Sequence, residues 1–253
     1  MEGENKMFNI FKKNNKKDSR SLLKTRNNEL IVKHNPKSPA SEAYRSIRTN
    51  ISFLSPDNPL TKIAVTSSGP SEGKSLTIAN LAVSMAQNGK KVVIIDADMR
   101  KPMQHKFYDL PNFEGLSNIL TSEIEFEDGL RETGIDGLKV VTTGTVPPNP
   151  AELLNSKRME EVIKKAEKEA DMVFIDTPPV IAVTDAAVLS NKVDGIILIV
   201  ASHQTEEQMM VRAKENLDKA NANIIGTIIT KYPVSTKGGY YNYYYYYGNS
   251  FKG

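Results

Sequence analysis

The stretch Ser68-Gly69-Pro70-Ser71-Glu72-Gly73-Lys74-Ser75 carries the residue types that bind a polyphosphate. It follows a Val/Ile-rich run, Ile63–Ser67, and opens an amphipathic stretch beginning at Lys74. A glycine-rich turn in that position presents backbone N–H groups, and the positive end of a helix, to an anion. Lys74 is then placed to reach the β- and γ-phosphates of a nucleoside triphosphate, and the Ser75 hydroxyl to bind Mg²⁺. Nucleotide contacts are expected from Gly69, Pro70, Ser71, Glu72, Gly73, Lys74, Ser75 and Leu76. Strict spacing asks for glycine at position 68, where this chain has serine. The loop tolerates that if Ser68 avoids positive φ.

Two further segments bring carboxylates. Val92-Val93-Ile94-Ile95-Asp96-Ala97-Asp98-Met99-Arg100 places two acids just past a strand, and Val173-Phe174-Ile175-Asp176-Thr177-Pro178-Pro179 a third. C-terminal ends of parallel strands share one edge, so Asp96, Asp98 and Asp176 can converge on the phosphate loop. Hard oxygen donors of this kind suit Mg²⁺. The expected metal set is Ser75, Asp96, Asp98 and Asp176. Taken singly, each acid could be a turn or capping residue. Three of them with a phosphate loop point to ATP or GTP binding.

The elements that must position these groups alternate along the chain. Strands are expected at Lys62–Ser67, Lys91–Ile95, Leu138–Thr142, Met172–Ile175, Gly195–Ala201 and Asn223–Thr230, most without clean alternation, as for strands buried on both faces. Helices are expected at Ser41–Leu54, Lys74–Gln87, Ser156–Ala170 and Thr205–Ala220. The fold class is therefore α/β, of the P-loop NTPase kind, with a mostly parallel central sheet flanked by helices on both faces. The division read from composition is a basic arm over 1–37, a nucleotide-binding domain over 38–236 and a tyrosine-cluster tail over 237–253. Thr143-Gly144-Thr145-Val146-Pro147-Pro148-Asn149-Pro150 makes a stiff loop at the edge where ligands bind.

Composition excludes several classes. The chain has 253 residues and no cysteine, which rules out disulfides and thiolate chemistry. His34, His105 and His203 lie far apart in sequence, against a histidine-centred hydrolase. Nothing approaches the ~18 apolar residues of a membrane span, and the basic N-terminus lacks a signal-peptide core, so a cytoplasmic location is expected. Net charge is +3 but uneven. The first 35 residues are lysine- and arginine-rich, fit for an anionic membrane surface, a nucleic acid or plain solvation.

Seven of the ten tyrosines fall within 240–247: Tyr240, Tyr241, Tyr243, Tyr244, Tyr245, Tyr246 and Tyr247. No helix or strand period makes such a block. A stacking platform for single-stranded nucleic acid would need more neighbouring charge than Lys237 and Lys252. A sticky polar-aromatic segment is a second option. The third, favoured here, is a set of phosphate acceptors on a Gly238-Gly239 hinge, and it needs no nucleic-acid partner. A phenol of pKa roughly 10 needs a positioned base, which Asp96 and Asp98 can supply. Each phosphate adds about −1.5 to −2 to a tail without acids.

With these motifs in hand the chain resembles the bacterial tyrosine kinases, specifically the free-standing type of Gram-positive capsule and exopolysaccharide systems. The resemblance rests on Gly69–Ser75, Asp96–Arg100, Phe174–Pro179, the tyrosine block, Thr143–Leu154 and Glu42-Ala43-Tyr44-Arg45-Ser46-Ile47-Arg48. It covers about residue 38 to the end. It implies an ATP- and Mg²⁺-dependent autokinase with Lys74, Asp96 and Asp98 as catalytic residues, which phosphorylates its tail in trans and regulates polysaccharide synthesis. It further implies a homo-oligomeric ring through Glu42, Arg45 and Arg48, tyrosine-bearing protein substrates and a cognate tyrosine phosphatase. A transmembrane adaptor would activate the kinase and recruit it to the inner face of the membrane. Without the resemblance, Glu42–Arg48 reads as a salt-bridged helix face. Arg100 could pair with a carboxylate or a phosphate. The alternative is a positioning ATPase of the ParA/MinD type. Those proteins carry a lysine five residues before the loop lysine, where this chain has Gly69, and they lack a tyrosine tail.

Overall fold

A strand covered by helices on both faces must be apolar at every position, because successive side chains point to opposite sides. The runs Lys62–Ser67, Val92–Asp96 and Met172–Asp176 obey this and are buried almost throughout. In the computed structural model, which describes residues 29–233, they form the middle of one sheet.

In chain order the elements begin with α1 (Ile31–His34), α2 (Pro39–Leu54), β1 (Lys62–Ser67), α3 (Lys74–Ala86), β2 (Val92–Asp96) and α4 (Gln104–Phe107). Next come α5 (Leu116–Leu120), α6 (Phe126–Gly129), β3 (Leu130–Ile135), β4 (Leu138–Val141), α7 (Pro150–Asn155) and α8 (Lys157–Glu169). The last are β5 (Met172–Asp176), α9 (Asp185–Leu189), β6 (Gly195–Ala201), α10 (Glu207–Lys219) and β7 (Ile224–Thr230). The seven strands lie in the order β3-β4-β2-β5-β1-β6-β7. All neighbours run parallel except β3 and β4. The expected class, a mostly parallel sheet between helices, is the one observed.

Each face has its own core. Ile63 and Val65 of β1 join Ile94, Phe174, Ile78, Leu81 and Ile51 on the side of α2 and α3. Ala64 joins Ile95, Ile175, Met159, Val162 and Leu217 on the side of α8 and α10. Helix starts follow their caps. Ser38 accepts from Ser41 N–H with Pro39 at the first helical position, and Ser156 accepts from Met159 N–H.

Three readings need correction. The basic arm does not extend to residue 37. Leu30 and Val32 are buried against α3, and Asn80 holds them by accepting from Val32 N–H (3.1 Å) and donating to Glu29 C=O (3.0 Å). Burying two such side chains stabilises by roughly 1.5–3 kcal/mol each, which outweighs the local charge as a guide to structure. The strand β3 went unread. Its polar sequence, Leu-Arg-Glu-Thr-Gly-Ile, pairs antiparallel with β4 at the sheet edge, joined through Asp136-Gly137 with Gly137 at φ +73°. The expected helix over 41–54 begins two residues earlier, at Pro39. The tail, its boundary at 237 and the arm over 1–28 lie outside the described residues.

Candidate active site

Sheet register creates the site. Asp96, the last residue of β2, is the direct partner of Asp176, the last residue of β5, and Asp176 also pairs in register with Val65 of β1. The loop after β1 therefore opens beside two carboxylates already side by side. Among the described residues no helix is long and apolar enough to cross a membrane.

The loop itself is set by backbone conformation. Gly73 adopts φ +92° and Ser71 φ +62°, while Ser68 avoids positive φ. Position 68 thus has no need of glycine. The first helical hydrogen bond runs from Thr77 N–H to Gly73 C=O. The amides of Lys74, Ser75 and Leu76 have no intrahelical acceptor and point into the loop, as an oxyanion ligand requires. Glu72, expected among the nucleotide contacts, turns inward: its carboxylate accepts from Ser68 N–H (3.0 Å) and the Thr205 hydroxyl (2.8 Å). The outer side of the loop is tied to the end of β7, where Thr230 Oγ1 donates to Glu72 C=O (2.6 Å) and Lys231 Nζ to Ser71 C=O (2.7 Å).

Lys74 lies almost wholly buried among the acids. Its Nζ donates to Asp98 Oδ2 at 2.7 Å and to Asp176 Oδ1 at 3.4 Å, with Ser75 Oγ at 3.2 Å. Burial works against its charge, but Asp176 and Asp98 outweigh it and raise its pKa. Asp98 Oδ1 accepts from the N–H groups of Arg100 (3.3 Å) and Lys101 (3.0 Å), which folds the following loop back over the site. Asp96 Oδ2 accepts from Met103 and Gln104 N–H, whereas its buried Oδ1 receives no hydrogen bond. Burial, then Asp176, push Asp96 up to about 8, and burial raises Asp176 despite Lys74.

Of three further contributors, Gln104 and Asp185 were not read from the sequence, and Thr143 was read only as part of the loop at the ligand edge. Gln104, fully buried at the start of α4, donates from Nε2 to Asp176 Oδ2 (2.8 Å) and Ser75 C=O (3.0 Å). Thr143, on the stiff loop, donates to Asp96 C=O at 2.9 Å. Asp185 is buried with neither carboxylate oxygen hydrogen-bonded, and Arg100 Nη2 lies 3.7 Å from its Oδ1. Burial raises Asp185 while Arg100 opposes the rise. Pro102, shortly before Gln104, is the one local signal for a helix start there.

The donor set fits a magnesium-bound triphosphate: free loop amides, a cation, a hydroxyl and an unpaired buried carboxylate oxygen. Among the described residues, however, no three His, Cys, Asp or Glu side chains gather into a metal cage, so the expected set of Ser75, Asp96, Asp98 and Asp176 does not close on one point. Lys74 separates Asp98 from Asp176, and Asp96 is turned toward α4. Mg²⁺ takes few protein ligands and keeps water and phosphate oxygens, so a closed cage is not required.

Glu42, Arg45 and Arg48 each have a partner within the chain, and Glu42 stays exposed. Arg45 pairs with Glu42 one turn away and with Pro36 C=O, and Arg48 Nη1 donates to Ser84 C=O at 2.8 Å, pinning α2 to α3.

Residues 60–224 match the family model described as an AAA domain. The chain is 44% identical over 214 residues to the tyrosine-protein kinase YwqD of Bacillus subtilis, covering 84% of this chain and 90% of that one. It belongs to the bacterial tyrosine-protein kinases. The crystal structure of the chimerical protein CapA2B2 superposes with a TM-score of 0.79 at 40% identity, covering 82% of this chain and 91% of that one. A septum site-determining MinD from Pyrococcus horikoshii, complexed with Mg-ADP, gives 0.59 at 22% identity over 70% of this chain and 72% of its own, a likeness of fold alone.

Proposed function

We propose that the protein is an ATP- and Mg²⁺-dependent protein-tyrosine kinase that phosphorylates the tyrosines of 240–247, one subunit acting on its neighbour. The observation that carries this reading is Lys74, held between Asp98 and Asp176 beside the unpaired Oδ1 of Asp96, in a chain of the tyrosine-kinase family.

In this reading the amides of 74–76 and the Lys74 ammonium hold the phosphates, with Lys74 exchanging its carboxylate partners for phosphate oxygens. Ser75, Asp98 and Asp176 would hold Mg²⁺, largely through water. The ion supplies charge neutralisation at the β- and γ-phosphates when bound. Asp96 takes the phenolic proton through Oδ1 as the tyrosine oxygen bonds to phosphorus and the bond to the ADP oxygen breaks. Burial and the neighbouring Asp176 favour the protonated form of Asp96, which gives the carboxylate an affinity for the phenolic proton once a bound cation has ionised it. Gln104 keeps Asp176 oriented, and Thr143 steadies the β2 end that carries Asp96.

The same reading takes in a ring assembled through Glu42, Arg45 and Arg48, with exposed Phe53 and Leu54 at the end of α2 adding apolar area. It also takes in a membrane adaptor that activates and recruits a cytoplasmic kinase, a cognate phosphatase, and control of capsule or exopolysaccharide synthesis. The support for these is the family resemblance.

The test is incubation with ATP and Mg²⁺, with and without an adaptor peptide, followed by phosphopeptide mapping. Label within 240–247, lost in Lys74→Met and Asp96→Ala chains that remain folded, is the expected result. Mixing a Lys74→Met chain with an active chain ending at residue 236 should label the former. Unlabelled mixtures alongside labelled intact chains would sink transfer between subunits.

A further inference from the structure

The phosphate loop brings one cation, Lys74, to a site lined by three acids, and the charge that spreads over a transferring phosphoryl group calls for more. Arg100 is placed to supply it. Its own N–H lies 3.3 Å from Asp98 Oδ1, and the other oxygen of Asp98 lies 2.7 Å from Lys74 Nζ. Its side chain is 45% exposed and reaches Asp185 only at 3.7 Å, too far for a hydrogen bond. A guanidinium has five donors in a fork that matches phosphate oxygens, and among the described residues only the loose ion pair with Asp185 engages it. Asp185 is equally unusual: wholly buried, with no donor from another residue within hydrogen-bond distance among the described residues and only the distant Arg100 guanidinium beside it. Leaving a carboxylate so is costly, and helix α9 would pack as well around a neutral residue. The half-made pair makes sense as a holder for Arg100, strong enough to aim it and too weak to keep it from a better anion.

We propose that Arg100 is a catalytic residue that contacts the transferring γ-phosphoryl group, and that Asp185 is the positioning residue that aims it. This rests on the kinase reading above and deepens it. As the phosphoryl group leaves the ADP oxygen for the tyrosine oxygen, the guanidinium donates to its equatorial oxygens and Asp185 remains as its counter-charge.

The experiment is calorimetric titration of the full chain with MgADP, alone and with fluoroaluminate as a stand-in for the planar phosphoryl group. Arg100→Ala should bind MgADP within about threefold of the unaltered chain but lose about a hundredfold with fluoroaluminate. Arg100→Lys should recover part of that loss. Asp185→Asn should lose about tenfold with fluoroaluminate while melting no lower than the unaltered chain, since it removes an unpaired buried carboxylate. The double variant should bind no worse than Arg100→Ala, because the two act as one unit. An Asp185→Asn chain with full fluoroaluminate affinity, or losses that multiply in the double variant, would overturn the proposal. So would an Arg100→Ala chain that loses MgADP as strongly as MgADP–fluoroaluminate. If the unaltered chain binds no MgADP at all, the nucleotide reading itself falls, and this inference with it.

Discussion

Asp96 and Asp176 are register partners at the ends of two adjacent parallel strands, so two carboxylates face each other in a buried setting. The pair is costly without a ligand, and the cost shows in pH. Asp96 is pushed up to about 8 and Asp176 is also raised, so both hold protons more tightly folded than unfolded, where a carboxyl titrates near roughly 3.9. Stability of the ligand-free protein should therefore fall as pH rises from about 4 toward 8, at up to about 1.4 kcal/mol per pH unit for each group in its titration range, and level off above. Asp96→Asn should flatten that slope in melts from pH 5 to 8.5. An unchanged slope would show that the carboxylate pair does not control it.

Lys74 is the cation that neutralises this pair. Lys74→Met leaves three buried acids without it, a change worth roughly 3–5 kcal/mol before protonation relieves part of it. The variant should melt closest to the unaltered protein near pH 5 and furthest below it near pH 8. It should also fail to bind MgATP. Equal melting temperatures at pH 8 would contradict the ion pairs described.

Gln104 ties three segments together through Asp176, Ser75 C=O and the Asp96 carboxylate. Gln104→Leu keeps the helix but strips Asp176 Oδ2 of its amide donor, at a cost of about 1–3 kcal/mol. Chemical denaturation should read that loss, and nucleotide affinity should drop with it.

At the opposite edge of the sheet Asp194 behaves conversely. Burial pushes it up, but the N–H groups of Thr61 and Lys62 and the Lys62 ammonium pull it further down, below the usual carboxylate range. Its contribution is present above the unfolded pKa and lost as pH falls through the lower folded value. Asp194→Asn should cost about 1 kcal/mol at pH 7, discounted for partial exposure, and the gap should close as pH falls below the usual carboxylate range.

Thr230→Val removes the hydroxyl that donates to Glu72 C=O. The expected loss is about 1 kcal/mol, with faster amide exchange confined to 70–75 and 201–205. Exchange that quickens everywhere would instead mark a general loss of packing.

How far the sequence announced all this depends on the kind of signal. Lys74, Asp96, Asp98 and Asp176 were legible because glycine spacing and acids after apolar strands are local patterns, and the parallel sheet brings strand ends to one edge. Gln104 and Asp185 were not, since a single buried polar residue in a short helix makes no pattern; only cross-strand register and loop return bring it to the site. Strand β3 hid for a related reason: an edge strand exposed on one side is free to be polar, and its Asp136-Gly137 turn was the one available cue. The inward turn of Leu30 and Val32 was masked by surrounding lysines.

The ties from Thr230 and Lys231 to the phosphate loop make that loop and the root of the tyrosine segment a single joint. From Lys231, nine peptide links lead to Tyr240 and sixteen to Tyr247, a taut reach of at most about 30 Å and about 55 Å. On the proposed transfer to 240–247, deletions within 234–239 shorten that span and should lower labelling with every catalytic residue untouched.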